Sequence, residues 1–200
     1  KAIVTTQLSN HPWSARLRLQ ALQRYEVSAY LDQWPQARAC LTDFHLDQLY
    51  KRIGGIPLAL RLCFAGIEYR DDFDRWFAQV TDDADDDIVS FCVGAAWRRL
   101  TETSKAASEI LKLLSLFDSV HGATSDMIIS ILSRSEPRHV ILNQLALITG
   151  HSLANRTEDG RYVVLPLVQQ YLVRCLSPNE HQTWRRQQVR YYLDHFLQPY

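Results

Sequence analysis

Arg52-Ile53-Gly54-Gly55-Ile56-Pro57-Leu58-Ala59-Leu60-Arg61-Leu62 reads as a helix stop followed at once by a helix start. Gly54 and Gly55 can enter positive φ without a Cβ penalty and so end the preceding helix. Pro57 has no N–H to lose, and its fixed φ suits a first helical turn. The stretch predicts a sharp corner of nearly bare backbone with a proline ring held in place. Such a corner serves as a plain helix–helix joint, the commoner use by composition alone. It can also bring backbone close to a flat ligand such as a nucleobase.

Helical patterns flank the corner. Thr42 or Asp43 is placed to N-cap a helix carrying Phe44, Leu46, Leu49 and Ile53. Residues 57–68 are apolar on most sides, through Leu58, Leu60, Leu62, Phe64 and Ile67, which predicts a helix in the middle of a bundle. Residues 24–33 put Tyr25 and Ala29 at helical spacing, with Pro35 expected to end the segment. Residues 72–80 form a shorter helix bearing Trp76 and Phe77. Nearer the start, residues 2–6 are β-branched and predict a strand; residues 7–15 predict a loop; residues 16–20 alternate like a second short strand.

Composition sets outer limits. The chain is 46% hydrophobic and 22% charged, which suits a buried globular core. Its 22 acidic and 22 basic side chains cancel, so no global basic field points to nucleic acid, although a local patch could still bind it. Cys40, Cys63, Cys92 and Cys175 lie far apart in apolar helical patterns, the expectation for buried free thiols in a reducing cytoplasm. No apolar run reaches membrane-spanning length and no signal peptide is visible. The chain opens on Lys1 without an initiator Met, which suggests a piece of a longer protein.

Asp82, Asp83, Asp85, Asp86 and Asp87 form the one clear charge run. It lacks the Gly and the spaced terminal Glu of a calcium loop. It reads instead as a linker whose carboxylates sit at the positive end of the next helix, and as a domain boundary. Beyond it the rhythm changes. Helices are expected over residues 88–100, 106–117, 124–132 and 137–148. Short strands are expected at 151–154 and 161–165, around an Asp159-Gly160 hairpin signal, and a helix at 166–176 follows. Three helices, a hairpin and a helix is the pattern of a winged-helix domain. Residues 178–197 make a final amphipathic helix. The fold class expected is therefore mainly α: the end of an α/β sheet over 1–20, a helical domain over 21–80, a winged helix over 84–176, and the start of a C-terminal helical region from 177.

No phosphate-cradling Gly-x-x-x-x-Gly-Lys motif, no Gly-x-Gly-x-x-Gly and no nucleophile elbow occurs. The seven histidines are scattered without metal-ligand spacing. The segment does not read as a complete enzyme, and no catalytic or metal-binding residue is assigned. As a DNA reader, the helix at 137–148 would offer Arg138, His139, Asn143 and Gln144 beside a dense apolar set. The hairpin sets Arg156 and Arg161 against Glu158 and Asp159, weak equipment for phosphates. Packing against protein is the favoured use of this winged helix.

Taken in order, these pieces resemble the C-terminal part of the nucleotide-binding switch in STAND-class signalling ATPases of the NB-ARC type. Ile3-Val4-Thr5-Thr6-Gln7 is similar to the strand that ends in the family's phosphate-sensing motif. Leu19, Leu22, Glu26, Val27 and Leu31 follow its next segment. Gly54-Gly55-Ile56-Pro57-Leu58-Ala59-Leu60 is similar to its Gly-Leu-Pro-Leu-Ala motif, and this is the most specific match. Val164-Leu165-Pro166-Leu167-Val168 falls where the family carries a Met-His-Asp or His-Pro-Leu-Val motif after the hairpin.

The resemblance covers nearly the whole chain and implies the sites. Residues 1–20 would close a P-loop sheet whose nucleotide-cradling motifs lie upstream. Pro57 would lie against the adenine of ATP or ADP, and Leu58 would help to wall the base pocket. Thr6 and Gln7 would face the phosphates, and Leu165 would stand at the position that approaches ADP. Mg2+ would accompany ATP, held mainly by upstream residues. The partners implied are the protein's own P-loop domain, a C-terminal sensor of helical-repeat type that includes the last helix, and further copies of the chain in an active homo-oligomer. The output implied is bacterial defence or transcription regulation in the cytoplasm. Two positions depart from the family: Gln7 stands where it has Arg, and Leu165 where it has His. Leu165 cannot donate a hydrogen bond. Either other residues such as Arg16 or Arg18 sense the phosphates, or the switch is loosened. A nucleotide-independent scaffold and a DNA-binding module are the alternative readings.

Overall fold

The computed structural model describes residues 20–83, 88–132 and 137–196. The strands expected at 2–6 and 16–20 fall outside the described residues, apart from Gln20 itself, as do Thr6, Gln7, Arg16, Arg18 and the acidic positions Asp85, Asp86 and Asp87.

The described chain is mainly helical: α1 (Arg24–Leu31), α2 (Pro35–Cys40), α3 (Asp43–Ile53), α4 (Pro57–Phe64), α5 (Arg70–Asp83), α6 (Ile88–Thr103) and α7 (Lys105–Leu114) come first. Then follow β1 (Ala123–Thr124), α8 (Ser125–Leu132), α9 (Arg138–Gly150), β2 (Ala154–Arg156), β3 (Arg161–Val164), α10 (Pro166–Cys175) and α11 (Pro178–Phe196). The three strands form one antiparallel sheet in the order β1-β3-β2. Val163 of β3 lies opposite Asn155 of β2, and Tyr162 opposite Ala123 of β1. No helix among the described residues is long and apolar enough to cross a membrane.

Local chemistry explains most of the boundaries. Thr42 N-caps α3, its hydroxyl accepting from the His45 N–H, while His45 Nδ1 accepts from the Thr42 N–H at 3.2 Å. Ser104 caps α7 through the Ala107 N–H. Ser177 and Glu180 cap the start of α11 reciprocally. Lys112 donates to Glu180 at 2.8 Å and ties α11 back to α7. That bond, together with those from Ser177, pushes the Glu180 carboxyl down to about 2.

Several expectations need correction. Pro35 starts α2 rather than merely closing α1, because Asp32 and Gln33 have already turned the chain. The helix expected to run to residue 68 stops at Phe64. Its carbonyl end is closed from outside: Arg99 Nη2 of α6 donates to Leu62 O at 2.9 Å, and the guanidinium rests against Gly66. The strand expected at 151–154 begins only at Ala154, since His151 caps α9 and Ser152 makes a turn at φ 59°. Cys175 is exposed rather than buried, while Cys63 and Cys92 are buried free thiols as expected.

One hydrophobic core runs from Val27 on α1 to Leu172 on α10. Its centre is α4, apolar on most sides as expected, with Ala59, Leu60, Leu62, Cys63 and Phe64 buried. α4 packs along α6; α6 in turn packs on α7 and α10, and α7 on α9. The helices on the two sides of the acidic run therefore share one core. Trp76 lies in that core, and Trp34, Trp97 and Trp184 pack against it.

Candidate functional site

The corner between α3 and α4 is built by two glycines with different duties. Gly54 ends α3 at φ 63°, ψ −158°, a region open almost only to glycine, and its N–H donates to Tyr50 O at 2.9 Å. Gly55 supplies room. The Leu22 N–H donates to Gly55 O at 2.8 Å, and a Cβ on Gly55 would fall 1.8 Å from Leu22 O. The chain entering α1 is thus pinned backbone to backbone on the corner. Ile56 then N-caps α4, and Pro57 occupies its first position. Pro57 is exposed; Leu58 is half-buried and packs against the core.

One turn after Pro57 comes Arg61, the single charged side chain of α4. Its Nη2 donates to Asn155 Oδ1 of β2 at 2.6 Å. Asn155 pairs with Val163, two residues before Leu165. The helix of the corner and the hairpin that leads to Leu165 are therefore joined directly. Leu165 is the N-cap of α10, half-buried against the core, with its carbonyl accepting from the Gln169 N–H at 2.8 Å.

Gln169 fixes the approach of this segment. Its Nε2 donates to Ser115 O at 2.7 Å and to Phe117 O at 2.8 Å, closing the carbonyl end of α7. Replacing Gln169 by Leu leaves both carbonyls without that donor. The expected cost is about 2 kcal/mol, read as a lower urea midpoint at unchanged slope.

Comparison with protein-family models, curated proteins and solved structures returned no match for the chain. The site is therefore judged on its own geometry.

The sequence-predicted residues Pro57, Leu58 and Leu165 sit on two elements linked by Arg61 and Asn155. An open groove of about 280 Å³ adjoins the corner, lined by Leu22, Tyr25, Glu26, Ala29, Tyr30 and Gln33, and none of the three lines it. Among the described residues no group of His, Cys, Asp and Glu could hold a metal ion. Any Mg2+ would need ligands from elsewhere.

Sequence reading missed Leu22 as a backbone partner, Arg61, Asn155 and Gln169. A lone arginine in an otherwise apolar helix was the available signal for Arg61. The face offered to DNA is also poorer than its sequence suggested. Gln144 Oε1 accepts from Ser104 Oγ at 2.7 Å, which turns it toward α7. Arg138 pairs with Asp126 and Arg161 with Asp159, each at 3.1 Å.

Proposed function

We propose that the chain is the regulatory part of an adenine-nucleotide-dependent switch of STAND type, closed with ADP and opened for oligomerisation with ATP. The observation that carries this reading is the corner. Gly55 is locked on the Leu22 backbone and presents an exposed Pro57 ring at the positive end of α4, beside half-buried Leu58. A rigid ring and an apolar neighbour suit one face of a purine. The order α7, β1, α8, α9 and hairpin, with β3 central in the sheet, supports a winged helix as the second moving part. The Arg61–Asn155 bond links that part to the corner.

In this reading the nucleotide acts by favouring one arrangement of the two parts, and only a difference in its contacts between states can shift them. Leu165 offers no donor to phosphate, so base contacts at Pro57 and Leu58 carry more of the discrimination, with Thr6 and Gln7 from residues 1–19 completing the site. The bound nucleotide supplies the charge that distinguishes the states. The protein residues named here orient it and exclude water. The paired arginines of α9 and the hairpin favour a protein-packing winged helix over a DNA reader.

Pro57→Asp tests the placement. An acidic residue in the first turn suits the helix, so α4 persists. Its charge would face an anionic ligand, and ADP affinity of the full-length protein, measured by calorimetric titration, is expected to fall at least about tenfold. Unchanged affinity would remove Pro57 from the pocket. A nucleotide-independent interaction scaffold is the second reading, favoured by the half-exposed Val189 and Leu193 on α11. It predicts no ADP binding in the parent protein.

A further inference from the structure

Three irregularities meet where the carboxyl end of α9 approaches α4 and α6. His151, the C-cap of α9, has a buried Nδ1 with no hydrogen-bond partner among the described residues. Arg99 of α6 is held by Leu62 O, yet its Nε and Nη1 are buried and likewise unpartnered. Ser152, next to His151, is buried and takes φ 59°, a left-handed conformation that costs a non-glycine residue about 1–2 kcal/mol. A strained turn persists only where surrounding contacts hold it. Here those contacts include an imidazole within the field of a buried guanidinium.

We propose that His151 makes this junction acid-sensitive: the neutral imidazole lets α9 and its turn close on α4 and α6, and protonation sets a second cation by Arg99 and opens it. The inference goes beyond the nucleotide reading and does not depend on it.

The charges around the site leave protonated His151 poorly compensated. Burial, and then Arg99, push the His151 imidazole below its ordinary value, and Glu68 in the α4–α5 turn opposes them. Arg99 is itself pushed down by burial; Cys63, Asp72, Cys92 and Glu102 act the other way. Burial holds the Cys63 thiol well above its usual range, so it stays neutral and supplies no anion. Because the closed state lowers the affinity of His151 for a proton, the junction is at full strength above the ordinary imidazole pKa. It weakens as pH falls through that value toward the depressed one.

Hydrogen exchange of the intact protein at about pH 7.5 and about pH 5.5, corrected for intrinsic rates, tests this. In the parent protein, peptides covering 145–156 and 60–68 are expected to exchange several-fold faster at the lower pH. In His151→Gln, which keeps a polar side chain but cannot take the proton, the acid response is expected to disappear. Arg99→Met, which removes the neighbouring cation, is expected to shrink it and provides the reading if the first variant does not fold. No acid response in the parent, or the same response in the variants, would overturn the proposal.

Discussion

Replacing Gly55 by alanine is expected to destabilise the protein by about 2–4 kcal/mol and to release Leu22 from the corner. The added Cβ would meet Leu22 O at 1.8 Å, Leu22 N at 2.5 Å and Leu22 C at 2.6 Å. All three atoms are backbone, so no side-chain rotation relieves the overlap. One of the two strands must move, and the 2.8 Å bond from the Leu22 N–H to Gly55 O goes with it. Gly54→Ala provides the contrast. A Cβ there meets nothing within 4 Å, but the backbone at φ 63° is strained for alanine, at about 1–3 kcal/mol. Adjacent glycines thus fail for different reasons. Urea unfolding gives the two costs, and amide exchange at Leu22 separates them: protection is lost in the Gly55 variant and kept in the Gly54 variant. Equal protection in both would show that the corner does not depend on this backbone contact.

Gly122→Ala is the second large effect, expected at about 3 kcal/mol or more because two penalties combine. Gly122 sits at φ 57°, and its added Cβ would lie 2.2 Å from Tyr162 O and 2.7 Å from Val163 Cγ2. The clash falls on β3 just where β1 joins it, since Ala123 is the partner of Tyr162 and Thr124 of Arg161. The variant is expected to keep the β2–β3 hairpin and lose β1, leaving α8 without its entry strand. Loss of amide protection at the β1–β3 bonds with protection retained between β2 and β3 is the expected pattern. A variant as stable as the parent would mean that β1 contributes nothing to the fold.

These two glycines mark what a single sequence reveals. The corner was legible because Gly, Gly and Pro act locally on the backbone. The caps at Thr42 and Ser104 and the hairpin turn at Asp159 and Gly160 were legible for the same reason. β1 was not, because two residues carry no periodicity. The early end of α4 was hidden because Arg99, far along the chain, closes it. The candidate site was half legible. Pro57, Leu58 and Leu165 follow from motif likeness, but the bond that joins their elements spans 94 positions, from Arg61 to Asn155. Nothing in the local pattern at either residue names the other.

The central claim is that this chain serves a nucleotide switch. Its most direct test is the nucleotide released when the full-length gene product is purified without added nucleotide and then denatured, identified and quantified by liquid chromatography. The switch reading predicts near-stoichiometric ADP. A folded, nucleotide-free protein that also fails to take up ADP or ATP would contradict it and leave the interaction scaffold in its place.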